Sequence, residues 1–326
     1  MRIGFLLLSL LLLTTFAPPR LHRLPDLPDQ PIVSFTPVSI RPERGIGERA
    51  GGLVFLGGWT IESNDYRFGG ISALHVGESE ILAASDAGIL FRFTRPDIGI
   101  RPAIRIIPLS DGPGSPRRKS DRDSEAMVAA NGHIWIAFER TNAVWRYSRD
   151  TLGKESAAAP RAMRKWRANS GSEAMLRLPD GRFMIFSEGA GDEANSDRKT
   201  SDVLLFDGDP SDPDTPVRKL LYSPPHGYRI TDAAILSDGR ILFLNRRFAL
   251  FEGMSAKLGI MKPAELMPGT ILRGNEVADL RPPMAVDNME ALSVARENGR
   301  TIVWIASDDN FSPLQRTLLL KFMLAG

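Results

Sequence analysis

The feature that most constrains the fold of this chain is a segment that recurs five times. The copies begin at Gly69, Arg122, Ser170, Arg229 and Asp287. Each contains a polar residue, a small residue, a short apolar run, a turn and a second apolar run. Four of the turns, ANG, PDG, SDG and ENG, contain Asn-Gly or Asp-Gly, the strongest short-range signal for a β-hairpin. The chain is therefore predicted to contain five related hairpins.

The spacing of the copies predicts a β-propeller. The polar residues at the heads of the copies lie 48 to 59 residues apart; they are Ser72, Glu125, Glu173, Asp232 and Glu290. This period accommodates four strands and suits a propeller blade better than a helical repeat, which is usually shorter and lacks hairpin turns. The sequence thus predicts an all-β chain with five blades.

The last copy is too short to form a whole blade, because only 36 residues follow Glu290. An N-terminal strand at Val54–Glu62 would complete this blade by pairing with it, which closes the ring and removes an exposed sheet edge. A sixth blade within Phe251–Pro283 is the alternative. That stretch contains GTILRG but lacks the polar head of the repeat.

The first 31 residues differ from the repeats. Arg2 precedes an apolar run at Gly4–Phe16, which has the length of a secretory signal and is short for a membrane-spanning helix. We expect residues 1–17 to be a signal peptide or an uncleaved N-terminal membrane anchor, residues 18–31 a proline-rich tether, and residues 32–326 the propeller domain. The chain has no cysteine, which excludes disulfides and a lipid-modified cysteine. We expect a periplasmic or secreted protein.

Charge composition bears on the partners. Lys and Arg number 41 and Asp and Glu number 39, a difference too small to indicate binding to nucleic acid. We expect no nucleic-acid partner, a monomeric protein, and a small-molecule ester or another anionic ligand.

A propeller brings equivalent residues of its blades together, because the first strand of each blade lines the central channel. The five head residues are therefore predicted to form a ring at one mouth of the channel. The ends of the second apolar runs would supply another set there: Asp86, Glu139, Glu188, Arg246 or Arg247, and Asp308 with Asp309. Carboxylates held this close repel one another unless a cation or basic partner is present.

Oxygen ligands without cysteine or clustered histidine indicate a hard cation. We expect calcium, with magnesium as the less favoured cation. The predicted metal ligands are Glu125, Glu173, Asp232, Glu290, Asp308 and Asp309. The predicted catalytic residues are Glu125, Glu173, Arg140, Arg246 and Arg247, the arginines stabilising developing negative charge. The alternative is that the head carboxylates only bind neighbouring backbone groups.

Other chemistries have weaker support in the sequence. The four histidines are scattered, so a histidine triad or a zinc site is not expected. The chain contains no G-x-S-x-G elbow, phosphate-binding glycine loop or dinucleotide fingerprint.

The chain resembles the phytase-like β-propeller family, which is described by an esterase-like activity of phytase. The resemblance is carried by GGWTIESNDYRFGGISAL from Gly57, by DSEAM, GSEAM and NMEAL, and by SDDNFSPLQRTLLLKF from Ser307. It implies a β-propeller, export, and calcium-dependent hydrolysis of phosphate esters. A dense Lys and Arg cluster for a highly phosphorylated inositol is missing. Two hypotheses follow: a metal-dependent ester hydrolase, or a non-catalytic envelope propeller that binds a ligand or a protein.

Overall fold

The structure is a computed structural model that describes residues 26–116, 118–168, 170–190, 200–263, 266–267 and 269–325. The chain divides into two compact units, Met1–Gln30 and Pro31–Gly326. The predicted signal or anchor at residues 1–17 and most of the predicted tether lie outside the described residues. In the part of the chain that is described, no helix is long and apolar enough to cross a membrane.

The second unit consists of five β-sheets arranged as a propeller, which confirms the predicted fold. The N-terminal strands are β1 (Val33–Pro37), β2 (Arg49–Ala50) and β3 (Leu53–Ser63). Blade 1 contains β4 (Ile71–Val76), β5 (Glu80–Ser85), β6 (Ile89–Thr94) and β7 (Ile104–Pro108). Blade 2 contains β8 (Ser124–Ala130), β9 (His133–Phe138), β10 (Ala143–Ser148) and β11 (Lys154–Ala158).

The other blades follow the same plan. Blade 3 contains β12 (Ser172–Arg177), β13 (Phe183–Ala190), β14 (Ser201–Phe206) and β15 (Val217–Tyr222). Blade 4 contains β16 (Arg229–Ile235), β17 (Ile241–Ala249), β18 (Gly253–Met261) and, after the short β19 (Ile271–Leu272), β20 (Asn275–Leu280). Blade 5 begins with β21 (Met289–Glu297), β22 (Arg300–Ser307) and β23 (Leu318–Leu324). Lys119–Asp121 and Arg161–Met163 form single 3-10 turns.

Blade 5 combines the two ends of the propeller domain. Strand β3 pairs antiparallel with β23 from Thr60 opposite Leu318 to Leu53 opposite Leu324. Strand β1 pairs with the other edge of β3, so the sheet order is β1-β3-β23-β22-β21. The first and last strands of the domain therefore share one sheet.

The alternative of a sixth blade is wrong. Residues 253–261 and 275–280 are the third and fourth strands of blade 4, and Ile271–Leu272 pairs in parallel with β15 of blade 3. The GTILRG stretch thus extends an existing sheet. The stretch lacks the polar head residue that the first strand of every blade carries, and this absence correctly indicated that it does not begin a blade.

The predicted hairpins form, with two kinds of turn. Asn131-Gly132 and Asn298-Gly299 are two-residue loops in which both residues have positive φ. Asparagine tolerates this conformation and glycine adopts it without steric cost, which is why these pairs favour tight hairpins. The Asp-Gly turns of blades 3 and 4 lie in longer loops, where Asp180 and Asp238 each accept the backbone N–H of an arginine two residues later.

The core is divided among the interfaces between blades. Five clusters of buried hydrophobic residues each join two neighbouring sheets, and the cluster that includes Trp304 and Phe91 joins blade 5 to blade 1. The inner strands β4, β8, β12, β16 and β21 each contact the inner strands of both neighbouring blades. Burial of apolar surface thus holds every blade to the next.

An ion-pair network also crosses the interface of blades 5 and 1. Asp97 of blade 1 and Glu297 of blade 5 both pair with Arg95, at 2.8 and 2.6 Å, and with Lys321, at 2.7 and 2.6 Å. The two cations each lie 5.2 Å from the centroid of the Trp304 ring. This network, which we call the seam network, contains equal numbers of positive and negative groups.

Candidate functional site at the channel mouth

A β-bulge near the start of each inner strand positions the head residues. The pairing register of every inner strand skips one residue relative to the second strand of its blade. The skipped residues are Ser72, Glu125, Glu173, Thr231 and Glu290. A bulge inserts an unpaired residue and re-aims its side chain. The repeat thus builds one specialised position five times, and we call these residues the bulge ring.

The structure places Ser72, Glu125, Glu173 and Glu290 at equivalent positions, as the repeat alignment predicts. In blade 4 the alignment is wrong by one residue, because Thr231 occupies the bulge and Asp232 pairs with Leu244. The sequence RITDAAI contains two adjacent polar residues, Thr231 and Asp232, and the aspartate resembles the glutamate heads of the other blades. Only the strand register distinguishes them.

Asp232 has structural partners. Its Oδ1 accepts the N–H of Ala233 and its Oδ2 accepts the N–H of Leu292 in the next inner strand, each at 2.7 Å. Burial nevertheless raises the pKa of this carboxyl well above its ordinary value. The carboxyl therefore joins blades 4 and 5, which is the backbone-binding role considered as the alternative for the head acids.

The two hydroxyl heads also bind the adjacent blade. The Ser72 Oγ donates to the Ser124 carbonyl at 2.5 Å, and the Thr231 Oγ1 donates to the Met289 carbonyl at 3.1 Å. In each case the acceptor precedes the bulge residue of the next blade. Hydroxyl heads thus satisfy a carbonyl that an ionised glutamate cannot, because a carboxylate has no proton to donate.

A second ring surrounds the bulge ring. In each blade, the inner-strand residue just before the bulge pairs with a residue of the second strand, and the next residue of the second strand belongs to this ring. The inner-strand residues are Ile71, Ser124, Ser172, Ile230 and Met289. The ring residues are Asp86, Glu139, Glu188, Arg246 and Asp308. They are the predicted second set, and the register selects Arg246 over Arg247 as the equivalent residue. The residues two positions before the bulge complete a third set: Gly70, Asp123, Gly171, Arg229 and Asn288.

Blade 2 has a carboxylate at all three positions. Oxygens of Asp123, Glu125 and Glu139 lie within 4.8 Å of one another, and we call these residues the blade 2 acid cluster. Arg140 pairs with Asp123 at 3.0 Å. Asp123 was missed as a site residue from the sequence, although it begins the DSEAM motif. The corresponding residues of GSEAM and NMEAL are uncharged, which was the available signal.

Blade 4 has the opposite charge at the same level. Arg246 pairs with Glu290 at 2.8 Å and with Glu188 at 3.7 Å, and Arg229 pairs with Glu188 at 3.2 Å. Arg229 is a further residue that sequence reasoning missed. The mouth is thus acidic at blade 2 and basic at blade 4, and the glutamates of blades 3 and 5 contact the basic side.

Burial and mutual repulsion disfavour ionisation of the mouth glutamates. Burial, followed by the charges of Glu173 and Asp123, raises the pKa of Glu125 well above its ordinary value. Burial and then the charge of Glu188 do the same to the pKa of Glu173. Burial raises the pKa of Glu290 to about 7, although the Arg246 charge opposes this shift. Groups of this kind gain most from a bound cation or a shared proton.

The remaining acids show two different situations. Burial raises the pKa of Glu139 to about 7. The hydrogen bond that its Oε1 accepts from the Gly171 N–H, at 3.2 Å, opposes this shift. Burial and the neighbouring Asp86 raise the pKa of Asp308 to about 8. Asp309, a predicted metal ligand, accepts the Gly70 N–H and the Phe311 N–H at its Oδ1 and the Thr317 hydroxyl at its Oδ2. Both carboxylate oxygens of Asp309 thus have hydrogen-bond partners within the protein.

Arg247, a predicted catalytic residue, has its partners outside the bulge ring and the second ring. It pairs with Glu252 and lies over the Tyr228 ring, 5.4 Å from its centroid. Among the described residues, Glu252 is the carboxylate with which it forms an ion pair. Arg140 and Arg246 are the predicted arginines that contact mouth acids.

The blade 2 acid cluster fits a calcium ion. Calcium binds oxygen ligands at about 2.3–2.6 Å, so oxygens up to about 5 Å apart can share one ion. The separations within the cluster meet this limit. Magnesium requires oxygens at about 2.0–2.1 Å in near-ideal octahedral geometry, a stricter demand than that of calcium.

The chain is similar to a known protein family and, more distantly, to solved structures. The family model for phytase-like proteins, described as esterase-like activity of phytase, matches residues 66–311. No curated protein matches the chain. A solved thermostable family-43 glycoside hydrolase is 12% identical, with a TM-score of 0.51 over 77% of this chain and 88% of that chain. The glutaminyl cyclase of Myxococcus xanthus is 9% identical, with a TM-score of 0.46 over 79% of this chain and 92% of that chain.

Proposed function

Because the chain belongs to the phytase-like family, whose description is esterase-like activity of phytase, we propose that it is a hydrolase of phosphate or other esters. The observation that carries the proposal is the blade 2 acid cluster beside Arg140 at the channel mouth. Carboxylates that cluster next to a cation, here with raised pKa values at Glu125 and Glu139, are typical of sites that bind a metal and a reacting anion.

Asp123, Glu125 and Glu139 are the residues that would hold a divalent cation, calcium in preference to magnesium. Such an ion, when bound, polarises the ester oxygen and makes a bound water more acidic. Deprotonation of Glu125 and Glu139 would accompany binding, so the site should release protons when it fills. Glu173, Asp232, Glu290, Asp308 and Asp309 remain predicted ligands. Both oxygens of Asp232 and of Asp309 already accept hydrogen bonds, which leaves these two carboxylates fewer lone pairs for a metal.

The groups beside the cluster have chemical roles of their own. Glu290, with a pKa of about 7, can hold or release a proton at its Oε atoms near neutral pH, which suits a general acid or base. Glu173 is disposed to stay protonated and could donate to a leaving oxygen. Arg140 and Arg246 are placed to stabilise negative charge that develops on the ester.

The pairing of the cations limits the substrate. Lys119 pairs with Asp86, Arg140 with Asp123, and Arg229 and Arg246 with mouth glutamates. These cations are already partly neutralised, so the mouth has little excess positive charge for a polyphosphorylated ligand. We propose a substrate with one or two negative charges.

Export is part of the proposal. An apolar run at Gly4–Phe16 and the proline-rich segment that follows it support a periplasmic or secreted protein, either released or held by an N-terminal anchor. Fractionation of the producing cell, with the molecular mass of the mature chain, tests both location and cleavage. A chain of full mass in the cytoplasm would contradict the proposal.

The site is tested by calcium titration and an ester panel. In protein freed of metal by a chelator, calcium should raise the melting temperature and switch on turnover of a nitrophenyl phosphate or carboxylate ester. Glu125→Gln keeps side-chain volume but removes a charge, so both effects should fall, and Glu139→Gln should behave alike. Asp180→Asn and Asp238→Asn, which alter exposed turn carboxylates in blades 3 and 4, are the matched controls.

The outcomes separate the hypotheses. A parent protein whose melting temperature and turnover ignore calcium would overturn the metal site. Calcium stabilisation without turnover of any ester would favour the alternative, a non-catalytic envelope propeller that binds a ligand or a protein. Glu173→Gln and Glu290→Gln extend the test to the predicted ligands in blades 3 and 5.

A further inference from the structure

The hairpin between β17 and β18 carries a cluster of exposed apolar side chains. Phe248, Leu250 and Phe251 are 61%, 79% and 97% exposed. Exposed single hydrophobic residues are ordinary, but three within four positions of one turn are not. We call Arg247–Glu252 the blade 4 tip. Arg247 and Glu252 pair with each other, so the tip has no net charge.

The blade 4 tip lies on the mouth side of the propeller. Arg246 belongs to the second ring, and β17 continues beyond it to Ala249, which pairs with Gly253 of β18. At about 3.3 Å per residue the strand extends roughly 10 Å past Arg246. In blades 1 and 2 the second strand ends at the residue just before Asp86 or Glu139. The tip is thus a projection next to the site.

A second exposed apolar group lies on the same side in the neighbouring blade. The segment 308–317 joins β22 to β23 and begins at Asp308 of the second ring. Leu314 in this segment is 87% exposed. Blades 4 and 5 therefore both present apolar side chains around the mouth.

The chain enters the propeller on this same side. Thr60 of β3 pairs with Leu318, whose N–H binds the Ser307 hydroxyl next to Asp308. Strand β3 therefore ends at the mouth side, and Val33 of β1 pairs with its last residue, Ser63. Ile32, itself exposed, is held there because its carbonyl accepts the Ser63 hydroxyl. The propeller is therefore joined to the segment that precedes it at the mouth side.

These placements point to a lipid membrane as the partner of the mouth side, and we infer that the blade 4 tip inserts into a bilayer so that the channel mouth faces the lipid headgroups. A narrow uncharged projection of Phe and Leu suits the boundary of headgroups and acyl chains, where apolar side chains leave water. The apolar run Gly4–Phe16 is a candidate anchor, and the proline-rich residues 18–31 span at most about 45 Å at 3.1 Å per residue. An anchored propeller would therefore stay within reach of the bilayer. The inference does not depend on hydrolysis.

The absence of cysteine allows a direct test with the full chain. Phe251→Cys places a single reactive thiol on the tip, and Ile100→Cys places one in the loop between β6 and β7, an exposed position on the opposite side. Each variant is labelled with an environment-sensitive fluorophore and mixed with vesicles of phosphatidylethanolamine and phosphatidylglycerol. Any anchoring by the N-terminal run acts equally on both variants.

We expect the label at position 251 to shift to the blue and to be quenched by spin-labelled lipid, and the label at position 100 to show neither change. Adding Phe248→Ser and Leu250→Ser to the Phe251→Cys variant should abolish the shift, with the melting temperature as the check that the fold is intact. Vesicle-bound protein whose 251 label stays in water overturns the inference. A blue shift that grows with protein concentration without vesicles also overturns it, because it indicates a second copy as the partner.

Discussion

At the scale of single residues, the mouth of this propeller places ionisable groups where folding opposes their ionisation. Glu125, Glu173 and Glu290 occupy β-bulges that point one side chain per blade to the same region. Thr231 and Ser72 occupy the equivalent bulges of their blades, and each hydroxyl donates a hydrogen bond to a carbonyl of the next blade. A glutamate at this position can play the same part only when it is protonated. The bulge ring thus prefers either a proton or a cation on its glutamates.

The first prediction concerns pH. Glu139 and Glu290 each have a pKa of about 7 in the folded protein against an ordinary value of 4.5. Because folding raises these values, their contribution is fully present below about pH 4.5 and is lost as pH rises through about 7. Each shift corresponds to on the order of 3 kcal/mol.

In chelator-treated protein, the melting temperature is therefore expected to fall between about pH 5 and pH 8. Calcium should reverse the fall mainly at the higher pH, because ligands must lose protons to bind it. Thermal unfolding across this range, with and without calcium, measures both effects. A melting temperature that is flat with pH without metal would show that these carboxyls ionise freely in the folded protein.

The second prediction separates Asp232 from the acids of the mouth. Asp232→Asn replaces one of two accepting oxygens with an NH₂ group that faces a backbone N–H, so one buried donor loses its partner. We expect a loss of about 1–3 kcal/mol in the free energy of unfolding with an unchanged calcium-dependent shift. Chemical denaturation with and without calcium measures both. Loss of the calcium shift at unchanged stability would show instead that Asp232 is a metal ligand.

At the scale of strands and blades, the sequence predicts what repeats and misses what depends on register. The Asn-Gly and Asp-Gly turns, the five inner strands and the family resemblance follow from local pattern, and they locate Glu125, Glu173 and Glu290 correctly. The one-residue shift at Thr231 does not follow, because a bulge is a relation between two strands. Asp123 was missed for a related reason: its closeness to Glu139 depends on the pairing of β8 with β9.

The third prediction belongs to the shared sheet of blade 5. Deleting Val54–Glu62 removes the strand between β1 and β23, exposes the edge of β23 and should destabilise the whole ring. Deleting Arg20–Pro31, outside the strands, should leave the melting temperature within about 2 °C of the parent, as expected for a change that costs at most a few tenths of a kcal/mol. Equal thermal stability of the two deletions would contradict the role of β3.

At the scale of the whole molecule, five successive interfaces between blades hold the propeller together, so the weakest interface limits the stability of the ring. Four of the interfaces join blades that are consecutive in the chain, and the interface of blades 5 and 1 joins its two ends. The seam network lies at this interface. Its positive and negative charges are balanced, so removing one carboxylate leaves a buried cation without a full partner.

The fourth prediction tests the seam network. Glu297→Gln leaves Arg95 and Lys321, whose side chains are largely buried, with Asp97 as their one remaining carboxylate in the network. We expect a loss of about 3–5 kcal/mol in the free energy of unfolding. Glu276→Gln, which breaks an exposed pair with Lys257, is the matched control and should cost less than about 1 kcal/mol. Urea unfolding midpoints decide, and equal midpoints would show that the network contributes nothing specific.

The sharing of blade 5 between the two ends of the domain also sets the order of events during biosynthesis. Strand β3 is among the first propeller strands to be made, and its partner β23 is the last. Until β23 emerges, β3 has an unpaired edge and blade 1 lacks one neighbour, so the native ring cannot assemble on a growing chain. The ring therefore closes only when strands from the two ends of the propeller domain pair in one sheet.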